Sequence, residues 1–103
     1  MDFREYSTRA WATAIFPKST VYPVLGLCGE AGEVAELVKK AIRVNDGDVD
    51  RVNLAKELGD VLWYINAVAR TYLLDLDTIA KENLSKLESR QARGVLQGSG
   101  DNR

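Results

Sequence analysis

Apolar residues recur every three or four positions along most of the chain, and nowhere do they alternate long enough to make a strand. Phe3, Tyr6, Ala10 and Ala14, with Trp11 alongside, predict a first helix up to about Phe16, stopped by Pro17. "KST" and Pro23 lead into a second helix from about Tyr22 to Val44, with a core stripe of Leu27, Ala31, Val34, Val38 and Ile42. "NDGD" at Asn45 to Asp48 is a turn cluster, and Asp48 or Asp50 can cap a third helix running to about Leu74. Its apolar face carries Leu54, Leu58, Val61, Leu62, Ile65, Val68 and Tyr72. Asp77 then caps a fourth helix from Thr78 to about Arg93, with Ile79, Leu84 and Leu87 inward. Beyond Gly94, "GVLQGSGDNR" has no periodicity. The short connections predict an all-α four-helix bundle: one helical domain over 1–93 and a flexible tail over 94–103.

Certain carboxylates break the amphipathic pattern. A solvated glutamate gains most from a Lys or Arg four positions on, as Glu36 has in Lys40. Glu30 is followed instead by Val34, Glu33 by Leu37, Glu57 by Val61 and Asp60 by Tyr64. These four acids form E-x-x-E on the second helix and E-x-x-D on the third. Each pair lies on neighbouring parts of one helix face, roughly 5 to 6 Å apart at Cβ. Four anions facing one another resist desolvation unless a cation joins them. The blander reading makes them surface acids, with Asp60 paired back to Lys56; two such pairs on the apolar borders of consecutive helices favour metal binding.

Composition narrows the chemistry. The 103 residues contain no histidine, which argues against Ser-His-Asp and Cys-His catalysis, His-ligated zinc and haem. It also argues against a di-iron bundle built on Glu-x-x-His motifs. Oxygen-only ligation suits a hard cation, Mg²⁺ or Mn²⁺. The single cysteine, Cys28, sits between Leu27 and Gly29 and is expected to be a buried, inert thiol. With 14 basic and 15 acidic residues, the net charge gives no global pull toward nucleic acid or membrane. No apolar run approaches the ~20 residues that span a bilayer, and "MDFREYSTRAW" is too polar for a signal peptide, so a cytoplasmic protein is expected.

Charge is organised locally on the fourth helix. Asn83, Lys86, Arg90 and Arg93 form one polar and cationic stripe, opposite Leu84 and Leu87, that could bind phosphate oxygens. The alternative is a solvated face in which Glu82 pairs with Lys86. Gly26, Gly29 and Gly32 recur along the second helix, each costing roughly 1 kcal/mol relative to Ala. Close approach of another helix and room for a ligand are both open explanations. "GLCGEAGE" lacks the Lys-Ser/Thr ending of a phosphate loop.

E-x-x-E, a gap of 23 residues, then E-x-x-D in a small helical chain resembles the MazG-like all-α nucleoside triphosphate pyrophosphohydrolases. The resemblance extends to Asn83, Lys86 and Arg90 in "KENLSKLESR", similar to the family's Asn-x-x-Lys segment beside the phosphates. "GSGDNR" resembles the tails of small stand-alone, often phage-type members. Gly29 departs from relatives that carry a further Glu there. The resemblance implies that Glu30, Glu33, Glu57 and Asp60 hold Mg²⁺ and serve catalysis. It implies cleavage of a (deoxy)nucleoside triphosphate to the monophosphate and pyrophosphate. Trp11, Phe16, Trp63 and Tyr64 are aromatic candidates to pack a base. Long helices in so short a chain would leave apolar stripes exposed, which predicts a homodimer or a tetramer, and the resemblance points the same way. The rival is a non-catalytic helical dimerisation or regulatory module. Nucleic-acid binding through the fourth helix is weaker, because the basic patch is short.

Overall fold

A computed structural model describes residues 1–103 as four helices with no strand: α1 (Phe3–Trp11), α2 (Tyr22–Val44), α3 (Arg51–Thr71) and α4 (Leu76–Ala92). The all-α expectation holds, and α2 has the predicted limits at both ends. Ser19 Oγ starts it by accepting from the Val21 and Tyr22 amides at 3.1 and 3.0 Å. Asp50 caps α3, its Oδ1 accepting from the Val52 and Asn53 amides at 3.0 and 3.3 Å.

Three boundaries differ from the sequence reading, the smallest change being that α3 ends at Thr71 rather than near Leu74, where the chain turns through the left-handed Leu73. α1 ends at Trp11 rather than near Phe16, so Pro17 does not stop it. The Thr13 hydroxyl donates to the Ala10 carbonyl at 2.7 Å and accepts from Trp63 Nε1 on α3 at 2.9 Å. A tertiary contact thus holds the chain out of the helix. α4 is capped by Asp75, not Asp77: Asp75 Oδ2 accepts from the Thr78 amide at 3.3 Å and its hydroxyl at 2.8 Å. Asp77 instead binds Arg4 of α1 at 3.5 Å and Lys81 at 2.9 Å, which ties the start of α4 to α1.

α3 and α4 end in the same way. After α3, the Leu74 amide donates to the Ala69 carbonyl at 2.7 Å and the Leu73 amide to Arg70 at 3.2 Å. After α4, the Val95 amide donates to Arg90 at 2.9 Å and the Gly94 amide to Gln91 at 3.2 Å. Both are left-handed caps of the Schellman type. Gly94 has φ +70°, which costs glycine nothing, but the equivalent residue after α3 is Leu73, at φ +60° and almost wholly exposed. The left-handed region costs a branched residue about 1–2 kcal/mol, and no packing of Leu73 offsets it. Leu73→Gly is therefore expected to raise the melting temperature by a few degrees, about 0.5–1 kcal/mol net, in a thermal melt followed by circular dichroism.

The principal seam lies between α2 and α3, whose short link makes them antiparallel; α1 lies against α3, and α4 against α1. The least exposed residues of α2 are Pro23, Gly26, Leu27, Glu30, Val34, Leu37 and Ala41, a continuous strip at helical spacing. The predicted stripe is thus rotated: Leu27 and Val34 belong to it, whereas Ala31, Val38 and Ile42 lie on its exposed flank. Leu58 and Ile65 of α3 are likewise exposed, as are Ile79, Leu84 and Leu87 of α4. Leu76 and Arg90 are the buried residues of α4. A helix with apolar residues around much of its circumference offers several inward faces, and the partner decides which is used. Cys28, expected to be buried, is exposed for the same reason.

The seam between α1 and α3 is polar. Asn66, 1% exposed, donates to the Ser7 carbonyl at 3.1 Å, while Arg70 reaches Ser7 Oγ at 2.9 Å and Thr8 Oγ1 at 3.2 Å. These directed contacts fix the register of a short helix that has little apolar area of its own.

Candidate active site

Glu30 and Glu57 occupy the seam between α2 and α3, in the strip where apolar side chains would be expected, and both are half-buried. Carboxylate oxygens of Glu30, Glu57 and Asp60 lie within 4.8 Å of one another. Glu33, one turn along α2, lines a shallow surface cavity of about 280 Å³ together with Glu57. None of the four acids forms an ion pair: Lys56 does not bind Asp60, and the nearby Lys39 binds Glu36 at 2.9 Å. That last pair also replaces the Glu36–Lys40 contact expected from spacing.

The electrostatics follow from that arrangement. Burial, then the charges of Asp60, Glu57 and Glu33, push the Glu30 carboxyl above its usual range. Burial and the Asp60 charge also raise Tyr6 of α1. Tyr64 is raised by burial, by the neighbouring Tyr22 hydroxyl and by Glu30 and Asp60. Tyrosines from α1 and α3 therefore flank the acids, with Tyr22 of α2 behind Tyr64, and neither Tyr6 nor Tyr22 carries a signal in the sequence that separates it from core aromatics.

Tyr64 depends on a glycine. A Cβ on Gly26 would lie 2.1 Å from Tyr64 Cε1, so the missing side chain lets the ring rest on the α2 backbone. Nothing approaches the Cβ positions of Gly29 and Gly32 within 4 Å. The three glycines thus do not share one explanation: close approach accounts for Gly26 alone. Gly26→Ala is expected to cost about 1–3 kcal/mol through overpacking, less the ~1 kcal/mol gained in helix propensity. The displaced ring would sit beside Asp60, so activity should fall more than the melting temperature does. Melts and kinetics on one preparation compare the two losses.

The four aromatic residues singled out in the sequence do meet. Trp63 and Tyr64 are edge to face at 5.0 Å, Phe16 lies edge-on to Trp63 at 6.2 Å and to Trp11 at 5.9 Å, and Phe16 stacks on Tyr22 at 5.1 Å. The largest cavity, about 690 Å³, is not on the acids; Trp11, Phe16, Lys18, Ser19, Thr20 and Arg70 are among the residues that line it. The aromatic chain through Trp63 to Tyr64 connects the two regions.

The α4 stripe is less simply placed. Asn83 and Arg93 are exposed, Lys86 is half-buried and Arg90 is buried, and no substantial seam joins α4 to α2 or α3. Lys86 binds Asp101 of the tail at 2.8 Å rather than Glu82. Asp101 had no distinguishing mark in the sequence. No helix is long and apolar enough to cross a membrane.

No solved structure matches the chain. Gene 37 protein of Mycobacterium phage L5 is 45% identical over 109 residues, an alignment covering 95% of this chain and 96% of that protein. A family model described as the MazG nucleotide pyrophosphohydrolase domain matches residues 20–95, which include all four acids, the aromatic pair of α3 and the whole of α4. With Glu30, Glu57 and Asp60 brought together inside that matched stretch, the chain belongs to the MazG nucleotide pyrophosphohydrolase family.

Proposed function

We propose that the chain is a Mg²⁺-dependent nucleoside triphosphate pyrophosphohydrolase that cleaves a (deoxy)nucleoside triphosphate to the monophosphate and pyrophosphate. The observation that carries this reading is the convergence of Glu30, Glu57 and Asp60 within 4.8 Å, without a counter-charge, in a MazG-type chain. The donor set fits a hard divalent ion: all the candidate ligand atoms are carboxylate oxygens, and a cation would offset both the burial and the neighbouring charges that raise the Glu30 carboxyl. Glu30, Glu57 and Asp60 would hold the ion, with Glu33 completing the set from the next turn. Bound there, Mg²⁺ or Mn²⁺ supplies neutralisation of phosphate charge and lowers the pKa of the attacking water.

The remaining work falls to side chains. One carboxylate of the cluster accepts the proton of the water that attacks at the α–β phosphate linkage. Trp63 and Tyr64, backed by Phe16 and Trp11, offer apolar faces to the base. Asn83, Lys86, Arg90 and Arg93 give the polyphosphate a fork and point charges. A nucleotide substrate fits the cytoplasm, and neither membrane nor nucleic acid is required as a partner.

Assembly is part of the proposal. Nine of 103 residues are buried, and large side chains such as Ile42, Leu58 and Leu84 are more than half exposed. A homodimer or tetramer would cover them. The same exposure favours a second reading, a non-catalytic helical dimerisation module. A panel of ribo- and deoxyribonucleoside triphosphates, assayed for pyrophosphate with Mg²⁺ and again with chelator, separates the two. Chelator-sensitive release of pyrophosphate is expected; no release with any nucleotide, together with no Mg²⁺ binding, would leave the module.

A further inference from the structure

The tail over 94–103 is held against α4 by charge. Lys86 Nζ lies 2.8 Å from Asp101 Oδ1, and Arg90 Nη2 lies 3.1 Å from the same oxygen while also donating to the Asp101 backbone carbonyl. Arg103 keeps the segment curled by donating to the carbonyls of Val95, Leu96 and Gly100 at 2.9, 2.7 and 2.6 Å. Arg93 adds a bond to the Arg103 carbonyl at 2.9 Å. Three cations of the α4 stripe are thus engaged by the tail.

As an anion for this place, Asp101 is an incomplete fit. Arg90 is 4% exposed, yet its Nε has no partner. A buried donor left without an acceptor is costly, and a phosphoryl group, with three oxygens, can take Nε and Nη2 together in a fork. The Asp101 side chain is also 78% exposed, so its grip on the two cations is that of a surface ion pair, weak and screened by salt.

We infer that Asp101 is a built-in competitor for polyphosphate: its carboxylate fills the anion position between Lys86 and Arg90 in the resting chain, and a bound polyphosphate displaces it and releases the tail. The inference rests on the proposed reading of the α4 stripe as the phosphate site. One carboxylate brings a single negative charge against the several of a triphosphate, so the incoming ligand wins. Hydrogen bonds from Lys86, then Arg90, hold the Asp101 carboxyl below its usual range. Apparent affinity for ligand is then reduced by the fraction of chains whose site stands open. A tail that acted as a lid over bound substrate would have the opposite sign.

The test compares the full-length protein with Asp101→Asn, using inorganic tripolyphosphate as the probe in calorimetry at low salt, with amide exchange of residues 95–102 read in parallel. Asp101→Asn should bind tripolyphosphate about three- to tenfold more tightly, a gap that narrows as salt is raised. In the unmodified chain, saturating tripolyphosphate should speed exchange of the tail amides. For a hydrolysed nucleotide, Asp101→Asn should lower KM by a similar factor at unchanged kcat. Equal or weaker binding by Asp101→Asn, tail amides that slow on ligand addition, or no tripolyphosphate binding by either protein would overturn the inference. Absence of pyrophosphate release from every nucleotide would defeat the proposed activity, while calorimetry and exchange still decide the role of Asp101.

Discussion

Glu57→Gln and Asp60→Asn are each expected to reduce pyrophosphate release by at least about a hundredfold while the helical content stays unchanged. Loss of a supporting partner at a metal site already costs about 10–100-fold, and these residues are the proposed direct ligands. Both substitutions keep size and polarity, so the seam between α2 and α3 should pack as before. Glu33→Gln should have the smallest effect of the set, because Glu33 stands outside the trio of oxygens within 4.8 Å. Full activity in both Glu57→Gln and Asp60→Asn would remove the site assignment.

The same variants have a stability signature without metal. Burial and the neighbouring acids raise the Glu30 carboxyl above its ordinary value of 4.5. A group whose folded pKa is raised contributes stability that is present below the unfolded value and lost as pH rises through the folded one. The metal-free protein is therefore on the repelled side at neutral pH. Removing the Asp60 or Glu57 charge should leave its melting temperature at neutral pH unchanged or higher, with a smaller difference in mild acid. Melts in chelator at the two pH values measure this, and a lower neutral melting temperature in both variants would contradict the repulsion argument.

Ile42→Asp and Leu58→Asp are expected to break the proposed assembly. Helical phase places Ala31, Val38 and Ile42 of α2 on the same side of the antiparallel hairpin as Leu58 and Ile65 of α3. Ile42 is 67% and Leu58 51% exposed in the single chain, so a charge at either position disturbs little within it. Across an interface, each loses the roughly 1.5–3 kcal/mol of a buried aliphatic side chain and adds the desolvation of a carboxylate. Association should weaken by more than about tenfold per substitution. Light scattering at micromolar concentration should show the parent as a homo-oligomer and the variants at lower mass. A well-folded parent monomer would remove the assembly from the proposal.

Much of this protein is legible from local signals. The α2 boundaries follow from Ser19, Pro23 and the "NDGD" turn, because caps and turns act within a few residues of where they are written. A carboxylate with an apolar residue one turn on has no solvated partner, and that signal placed Glu30 and Glu57 rightly at the seam, whereas Glu33 and Asp60, which carry the same signal, are exposed. Only the tertiary structure decided what depends on distance along the chain. The end of α1 is set by Trp63 through Thr13, and Gly26 matters because Tyr64 lies on it. The inward face of each helix was chosen by its neighbour, so Ile42 and Leu84 lie outside while Arg90 is buried. The engagement of Lys86 and Arg90 by Asp101 was beyond any local reading: periodicity specifies which residues share a face of a helix, but not what an aperiodic segment further along the chain will place against that face.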